Sequence, residues 1–237
     1  MTPTRIACAG WSISREAAPH FSGDGNHLQR YAAVFNAVEI NSSFYRPHQP
    51  QTYQRWADSV PDDFRFSVKL PRSITHDQRL RDIDAPLARF AAEAGTLGAK
   101  LGCVLVQLPP SLALDAAVAD AVLLRLRELF GCMLACEARH GSWFSDSATA
   151  LLQRHRVTRV IADPPAGQPG PYVATSDDGY IRLHGSPRMY YSAYDEPYLA
   201  GVAEWLQGRN AWCIFDNTAA GAAILNALRL QKIQRAG

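Results

Sequence analysis

The sequence predicts a single (β/α)₈ barrel, a TIM-type domain spanning residues 1–237. Three observations predict it. Eight short apolar runs alternate with longer segments whose apolar residues recur at helical spacing, the pattern of parallel strands joined by helical crossovers. The first run leads into Gly10-Trp11-Ser12 with no G-x-G-x-x-G turn, so the competing open doubly wound sheet lacks its usual phosphate loop. The runs also end in polar residues, as barrel strands do at a ligand-bearing C-terminal mouth.

The elements follow in order. Strand 6–9 is followed by helix 28–35, strand 37–40 by helix 51–59, and strand 65–69 by helix 85–97. Strand 102–107 precedes helix 115–129, and strand 133–136 precedes helix 146–155. Strand 159–162 runs into 164–171, which is rich in Pro and Gly and reads as a loop. Strand 180–183 precedes helix 198–207, and strand 212–215 precedes helix 219–230. Residues 23–25 and 166–171 read as surface loops within the one domain, and no repeat or linker divides the chain.

The apolar share of 47% is enough for a sizeable core. A formal charge of +2 supplies no global field toward nucleic acid or an anionic membrane, which argues against extended nucleic-acid binding. There is no run of about 18 apolar residues, so no membrane span is expected. The start, MTPTRIACAGW, lacks the apolar region of an export signal, and the expected compartment is the cytoplasm. The five cysteines show neither zinc nor redox spacing and read as reduced core residues. A monomer is compatible with all of this.

Side chains alternate across a strand. Glu39 and Asn41 therefore share a face opposite Val38 and Ile40. Ser67 and Lys69 oppose Phe66 and Val68, and Arg182 and His184 oppose Ile181 and Leu183. Helices cover the outer face of a barrel and take the aliphatics, so the polar set points inward, near the top. Gln107, Glu137, Arg139, Asp216 and Asn217 end other strands. Burying unpaired charge costs several kcal/mol. The set is therefore either a functional site or a closed salt-bridge network that plugs the barrel. Trp11, Tyr45 and Trp143 follow strand ends, as do Phe44, Tyr190, Tyr191 and Tyr194, and could form a stacking wall. Arg72 and His76, with Arg46, Lys69 and Arg182, make the mouth locally basic and suit an anionic ligand. Gly185-Ser186 and residues 218–221 are placed to offer backbone N–H groups to a phosphate.

Several of these runs resemble one family. They are Ala37-Val38-Glu39-Ile40-Asn41-Ser42-Ser43-Phe44-Tyr45, Phe66-Ser67-Val68-Lys69 with Ile74-Thr75-His76, and Gln107-Leu108-Pro109-Pro110. Glu137-Ala138-Arg139-His140 with Ser142-Trp143, Arg182-Leu183-His184-Gly185, and Phe215-Asp216-Asn217-Thr218 continue the series. Together they resemble the YecE-like family, domain of unknown function 72, from Gly10-Trp11 to Asn226. The resemblance implies a TIM-type barrel and one shared site, and no reaction.

The residues themselves favour an enzyme using metal-free acid–base chemistry on a small polar ligand, anionic or sugar-like, with no cofactor. Glu39, Lys69, Glu137 and Asp216 are the candidate catalytic groups, and Trp11, Asn41, Tyr45, Arg72, His76, Gln107, Arg139, Trp143, Arg182, His184 and Asn217 the candidate binding groups. Paired carboxylates with aromatics fit glycoside chemistry. An inward Lys69 fits a Schiff base if its pKa is depressed, which the neighbouring acids are expected to oppose. One alternative is a metal-dependent isomerase or hydrolase. It has suitable ligand types but no H-x-H or H-E-x-x-H spacing, and the interleaved Lys and Arg would repel a cation. The other is a non-enzymatic protein that binds a nucleotide or nucleic-acid end by stacking and Arg contacts.

Overall fold

A computed structural model describes residues 4–236. Residues 1–3 and 237 of the expected domain lie outside the described residues, as does the start of the stretch on which the export reading rests. The strands are β1 (Arg5–Cys8), β2 (Ala37–Ile40), β3 (Arg65–Lys69), β4 (Leu101–Gln107) and β5 (Met133–Glu137). They continue with β6 (Val157–Arg159), β7 (Ile161–Asp163), β8 (Gly179–Leu183) and β9 (Ala211–Phe215). All pair in parallel, in the orders β1-β9-β8-β7 and β2-β3-β4-β5-β6.

Two joints connect these orders into the circuit of a (β/α)₈ barrel. Ala9 bridges Glu39, and the Gly10 N–H donates to the Glu39 carbonyl at 2.9 Å, which ties β1 to β2. On the other side, β6 and β7 flank Val160 and fill one barrel position. The first half pairs with β5 and the second with β8, so the strand changes neighbour at Val160. The sequence reads this position as one unbroken strand. It is split because the two sides of the barrel draw on different halves of it.

The helices are α1 (His27–Ala32), α2 (Pro50–Asp58), α3 (Asp84–Ala94), α4 (Ala116–Leu129), α5 (Asp146–Arg154), α6 (Glu196–Leu206) and α7 (Ala222–Ala236). Side chains set several starts: Asp115, Ser145 and Asp195 each accept an N–H from the first turn of α4, α5 and α6. The expected helix 85–97 stops at Ala94 and continues as a 3₁₀ segment, Gly95–Lys100, in which Gly98 takes φ 56°. The last helix starts three residues later than expected, behind a turn closed by Gly221 N–H to the Thr218 carbonyl. Residues 164–178 carry no helix, as expected. No helix among the described residues is long and apolar enough to cross a membrane.

The alternation of side chains produces two cores. Ile6, Val38, Ile40, Phe66, Val68, Val104, Val106, Ile181, Leu183 and Phe215 face outward and pack with the helices. Ala7, Ala37, Cys103, Leu105, Ala135, Val160, Tyr180, Trp212 and Ile214 form a separate cluster inside the barrel. Small residues there leave room for the Tyr180 and Trp212 rings, stacked with centroids 6.1 Å apart. Gly102 belongs to the same economy of space, since a Cβ there would lie 2.7 Å from the Trp212 ring. Apolar packing thus fills the lower barrel and, at Leu105 and Ile214, reaches the level of Lys69 and Arg182, where the polar inward residues begin.

Candidate functional site

Arg182 projects from β8 into the top of the barrel and is completely buried. Such a charge persists only if it is paired, and three strand ends supply the pairs. Its Nε and Nη2 donate to the two oxygens of Glu39 on β2, at 3.0 and 2.6 Å, in a bidentate fork. Its Nη1 donates to Glu137 Oε2 at 2.6 Å, and Nη2 also donates to Asp216 Oδ2, just past β9, at 3.0 Å. The Tyr180 hydroxyl supports Glu39 from below, donating to Oε2 at 2.9 Å while 2.7 Å from Ser67 Oγ. The place where three carboxylates converge is therefore filled by a guanidinium.

Two further cations flank this floor. Arg139 donates through Nε and Nη2 to Glu137 Oε1 at 2.9 and 2.6 Å. His184 Nδ1 lies 3.0 Å from Asp216 Oδ2. Its Nε2 is 3.2 Å from Glu137 Oε1, close enough for charge attraction but not aligned as a hydrogen bond. Burial pushes the Glu137 and Asp216 carboxyls up, but Arg182 and His184 outweigh it and hold both below their ordinary range. Burial pushes the His184 imidazole down, and Asp216 with Glu137 outweighs that and raises it. The floor is a set of fixed charges.

Above it opens a cleft of about 480 Å³, lined by Asn41, Tyr45, Lys69, Arg72, His76, Gln107, Arg139 and Asp216 among the expected residues. Lys69 is the outlier in charge. Its Nζ lies over the Phe44 ring, 4.1 Å from the centroid. Nζ makes no ion pair or hydrogen bond among the described residues. Burial pushes its pKa down to about 8, aided by Arg182 and opposed by Glu39, Glu137 and Asp216. The acids oppose the depression, as expected, but all three already partner Arg182 and do not outweigh burial. His76 is lowered by burial and by Lys69, Arg72 and Arg139, which favours its neutral form. Its Nδ1 sits 2.8 Å from Thr75 Oγ1. Asn41 Oδ1 is buried without a partner, an acceptor that a bound ligand could satisfy.

Three expected binding residues lie elsewhere. Trp143 is buried below the rim, where its Nε1 donates to the Leu112 carbonyl at 3.0 Å. Trp11 packs edge-on against Trp56 in the outer core. The Asn217 Nδ2 donates to the Ser192 carbonyl and to Asn226 Oδ1, holding the loop after β8 against α7, while its Oδ1 is buried without a partner. Glu39 sits in the network but has no exposed surface, so it meets no ligand directly. Within the expected phosphate cradle, the N–H groups of Gly185, Ala219 and Gly221 donate to Tyr194, Tyr190 and Thr218.

Phe44, Tyr190 and Tyr191 of the expected aromatic wall also line the cleft, as do Thr218 and Ala219. Tyr190 adopts φ 69°, an uncommon backbone for a bulky residue, and its ring meets His184 edge-on at 5.9 Å. Tyr180, the partner of Glu39, was legible: it shares parity with Arg182. Among the described residues no group of three or more His, Cys, Asp or Glu side chains has metal-holding geometry. All five thiols are free, and burial raises those of Cys8 and Cys136 to about 12, so they remain protonated.

Comparison with known proteins agrees with the geometry. The chain is 37% identical to the UPF0759 protein YecE of Escherichia coli K12 over 82 residues, which is 35% of this chain and 30% of YecE. It is 29% identical to the UPF0759 protein YunF of Bacillus subtilis 168, covering 96% of this chain and 93% of YunF. The crystal structure of a DUF72 family protein from Thermotoga maritima superposes with a TM-score of 0.81 at 26% identity, over 98% of this chain and 99% of that one. The model of the family described as protein of unknown function DUF72 matches residues 5–236, and the chain belongs to that family.

Proposed function

We propose that the protein is an enzyme that moves protons on a small polar ligand, anionic or sugar-like, bound in the mouth of the barrel. The observation that carries this reading is Lys69: an amine with no partner, facing a cleft, among charges that are otherwise saturated. A group poised near neutral pH is what general acid–base chemistry needs. In this reading Lys69 is the base. The Asp216–His184 pair holds the complementary proton, and Arg139 and Arg72 attract the ligand's negative charge. Tyr45, Tyr190 and Tyr191 wall the cleft, and Asn41 and Gln107 fix hydroxyl or carbonyl groups. Glu39 and Arg182 position the rest from below. The geometry of the carboxylates, each committed to Arg182, supports proton transfer without a metal ion.

The test begins with a thermal-shift screen of sugars, sugar phosphates and nucleotides, since a ligand raises stability by mass action. Ligands that raise Tm are then incubated with the protein in D₂O and followed by proton NMR. The expected result is loss of a ligand C–H signal or appearance of product with the wild type, and neither with Lys69→Met. Equal binding by both proteins with no exchange and no product would overturn the reading.

A second reading has its own observation. Tyr45 is 74% exposed, and Tyr190, Tyr191 and Arg72 stand beside it on the rim. Such a rim suits stacking of a nucleotide or nucleic-acid end without catalysis. Its binding would weaken steeply with salt, so a flat salt titration removes it.

A further inference from the structure

We infer that the substrate is a carbonyl compound carrying an anionic group, and that Lys69 binds it covalently as an imine. This rests on the acid–base reading above and names the substrate class for the same cleft.

The first argument is residue choice. Of the chain's 24 basic side chains only Lys69, Lys100 and Lys232 are lysines. Lys100 is tied to the Ala57 and Val60 carbonyls at 2.8 and 2.7 Å, and Lys232 is exposed. Lys69 is the lysine that faces the cleft. Arginine never deprotonates in a protein, whereas a lysine can offer a lone pair. The inward position that opens on the cleft is therefore held by the basic residue type capable of attacking carbon.

The second argument is geometry. Lys69 faces Arg182 on β8, Glu39 on β2, Glu137 on β5 and Asp216 after β9, with Arg72, His76 and Arg139 around the opening. The carboxylates are spent on Arg182, and none lies within ion-pair distance of Nζ among the described residues. The Phe44 ring beneath the amine shields it from water on one side. Its depressed pKa agrees with that placement. Arg139 and Arg72 supply the anion contact, and the cleft volume of about 480 Å³ admits a molecule the size of a keto acid or a sugar phosphate.

The step balances without a redox partner. The neutral amine attacks the carbonyl carbon, a C–N bond forms, and the carbonyl π pair moves to oxygen, which takes a proton. A second proton, from the His184–Asp216 side, lets that oxygen leave as water while nitrogen loses its own proton. The products are a protonated imine and water; with Lys69 consumed as the nucleophile, the adjacent C–H that this imine acidifies gives its proton to the neutral His76 at the same cleft, which joins this step to the proton transfer above.

The protein is incubated at about pH 8 with glyoxylate, pyruvate, dihydroxyacetone phosphate or glycolaldehyde phosphate and sodium cyanoborohydride. Intact mass and peptide mapping follow. The expected result is one secondary-amine adduct at Lys69, formed about 10-fold or more faster than at Lys100 or Lys232 and absent from Lys69→Arg and Lys69→Met. Labelling confined to Lys100, Lys232 or the N-terminus, or no adduct with any of the four compounds, overturns the imine. The two readings fail separately. Lys69-dependent deuterium exchange without trapping leaves Lys69 a base and removes the imine, whereas trapping without exchange or product keeps the imine and removes the proton transfer.

Discussion

At the floor of the mouth every charge has a partner, and on its wall one does not. Arg182, Glu39, Glu137, Asp216, Arg139 and His184 form a continuous network of short contacts. Lys69 stands above the same carboxylates and pairs with none of them among the described residues. Both regions are inward-facing, charged and nearly dry. The difference teaches how the two readings of the inward charges divide: the plug describes Arg182 and Glu39, and the proposed chemistry belongs to Lys69 and the residues that share its cleft.

Breaking the floor is expected to have the largest effect. Arg182→Met leaves Glu39, Glu137 and Asp216 buried against one another without their shared counter-charge. Removing one partner of a buried ion pair costs about 3–5 kcal/mol, and three carboxylates depend on this one. That is a large part of the stability of an ordinary domain. Urea unfolding should show the variant unfolded or severely destabilised. A loss below about 1 kcal/mol would mean that the floor is not structural.

Acid probes the same floor without mutation. Glu137 and Asp216 have folded pKa values below their unfolded ones. Their stabilisation is full above the unfolded values near 4 and is lost as pH falls through the folded ones. His184 has the opposite sign: its raised pKa stabilises below about 6.5, and that contribution fades as pH rises through the folded value. Tm should therefore fall on the acid side below about pH 5. A Tm flat from pH 6 to pH 3 would contradict the assignment.

The wall should respond in the other direction. A lysine with a depressed pKa penalises the fold while it is charged, fully below about 8, with relief between about 8 and its unfolded value of 10.5. Lys69→Met removes the penalty and keeps the volume. We expect a gain of about 1–2 kcal/mol at pH 7, after loss of the Phe44 contact, and loss of the Lys69-dependent rise in stability between pH 8 and 10. Destabilisation instead would place Lys69 with the floor.

How far this contrast was legible depends on the distance over which each residue acts. Strand parity is local, so the inward directions of Glu39, Lys69, Arg182 and His184 could be read from their neighbours. All eight strand positions could be read from short runs rich in apolar residues, whereas the break at Val160 reflects which partner strand lies on each side. Pairing was not legible. Glu39 and Arg182 are 143 residues apart, and nothing near either says that one guanidinium will take three carboxylates and leave Lys69 alone. Trp143 and Trp11 look like rim aromatics because they follow strand ends. The Leu112 carbonyl and the Trp56 ring, both distant in sequence, turn them inward.

The smallest effect on the chemistry sharpens the division most. Tyr180 lies one layer below Glu39 and touches no part of the cleft. Its hydroxyl gives Glu39 a hydrogen bond beyond those from Arg182 and shares another with Ser67. Tyr180→Phe keeps the ring stacked on Trp212 and deletes only those contacts, leaving the Glu39–Arg182 fork in place. The cost should be about 1.5–3 kcal/mol, that of a buried hydrogen bond to a charged group. Ligand exchange and Lys69 trapping should be unchanged, because the fork still fixes Arg182. If Tyr180→Phe instead slowed trapping as much as it lowered stability, the floor would be setting the reactivity of Lys69 rather than only holding the barrel shut.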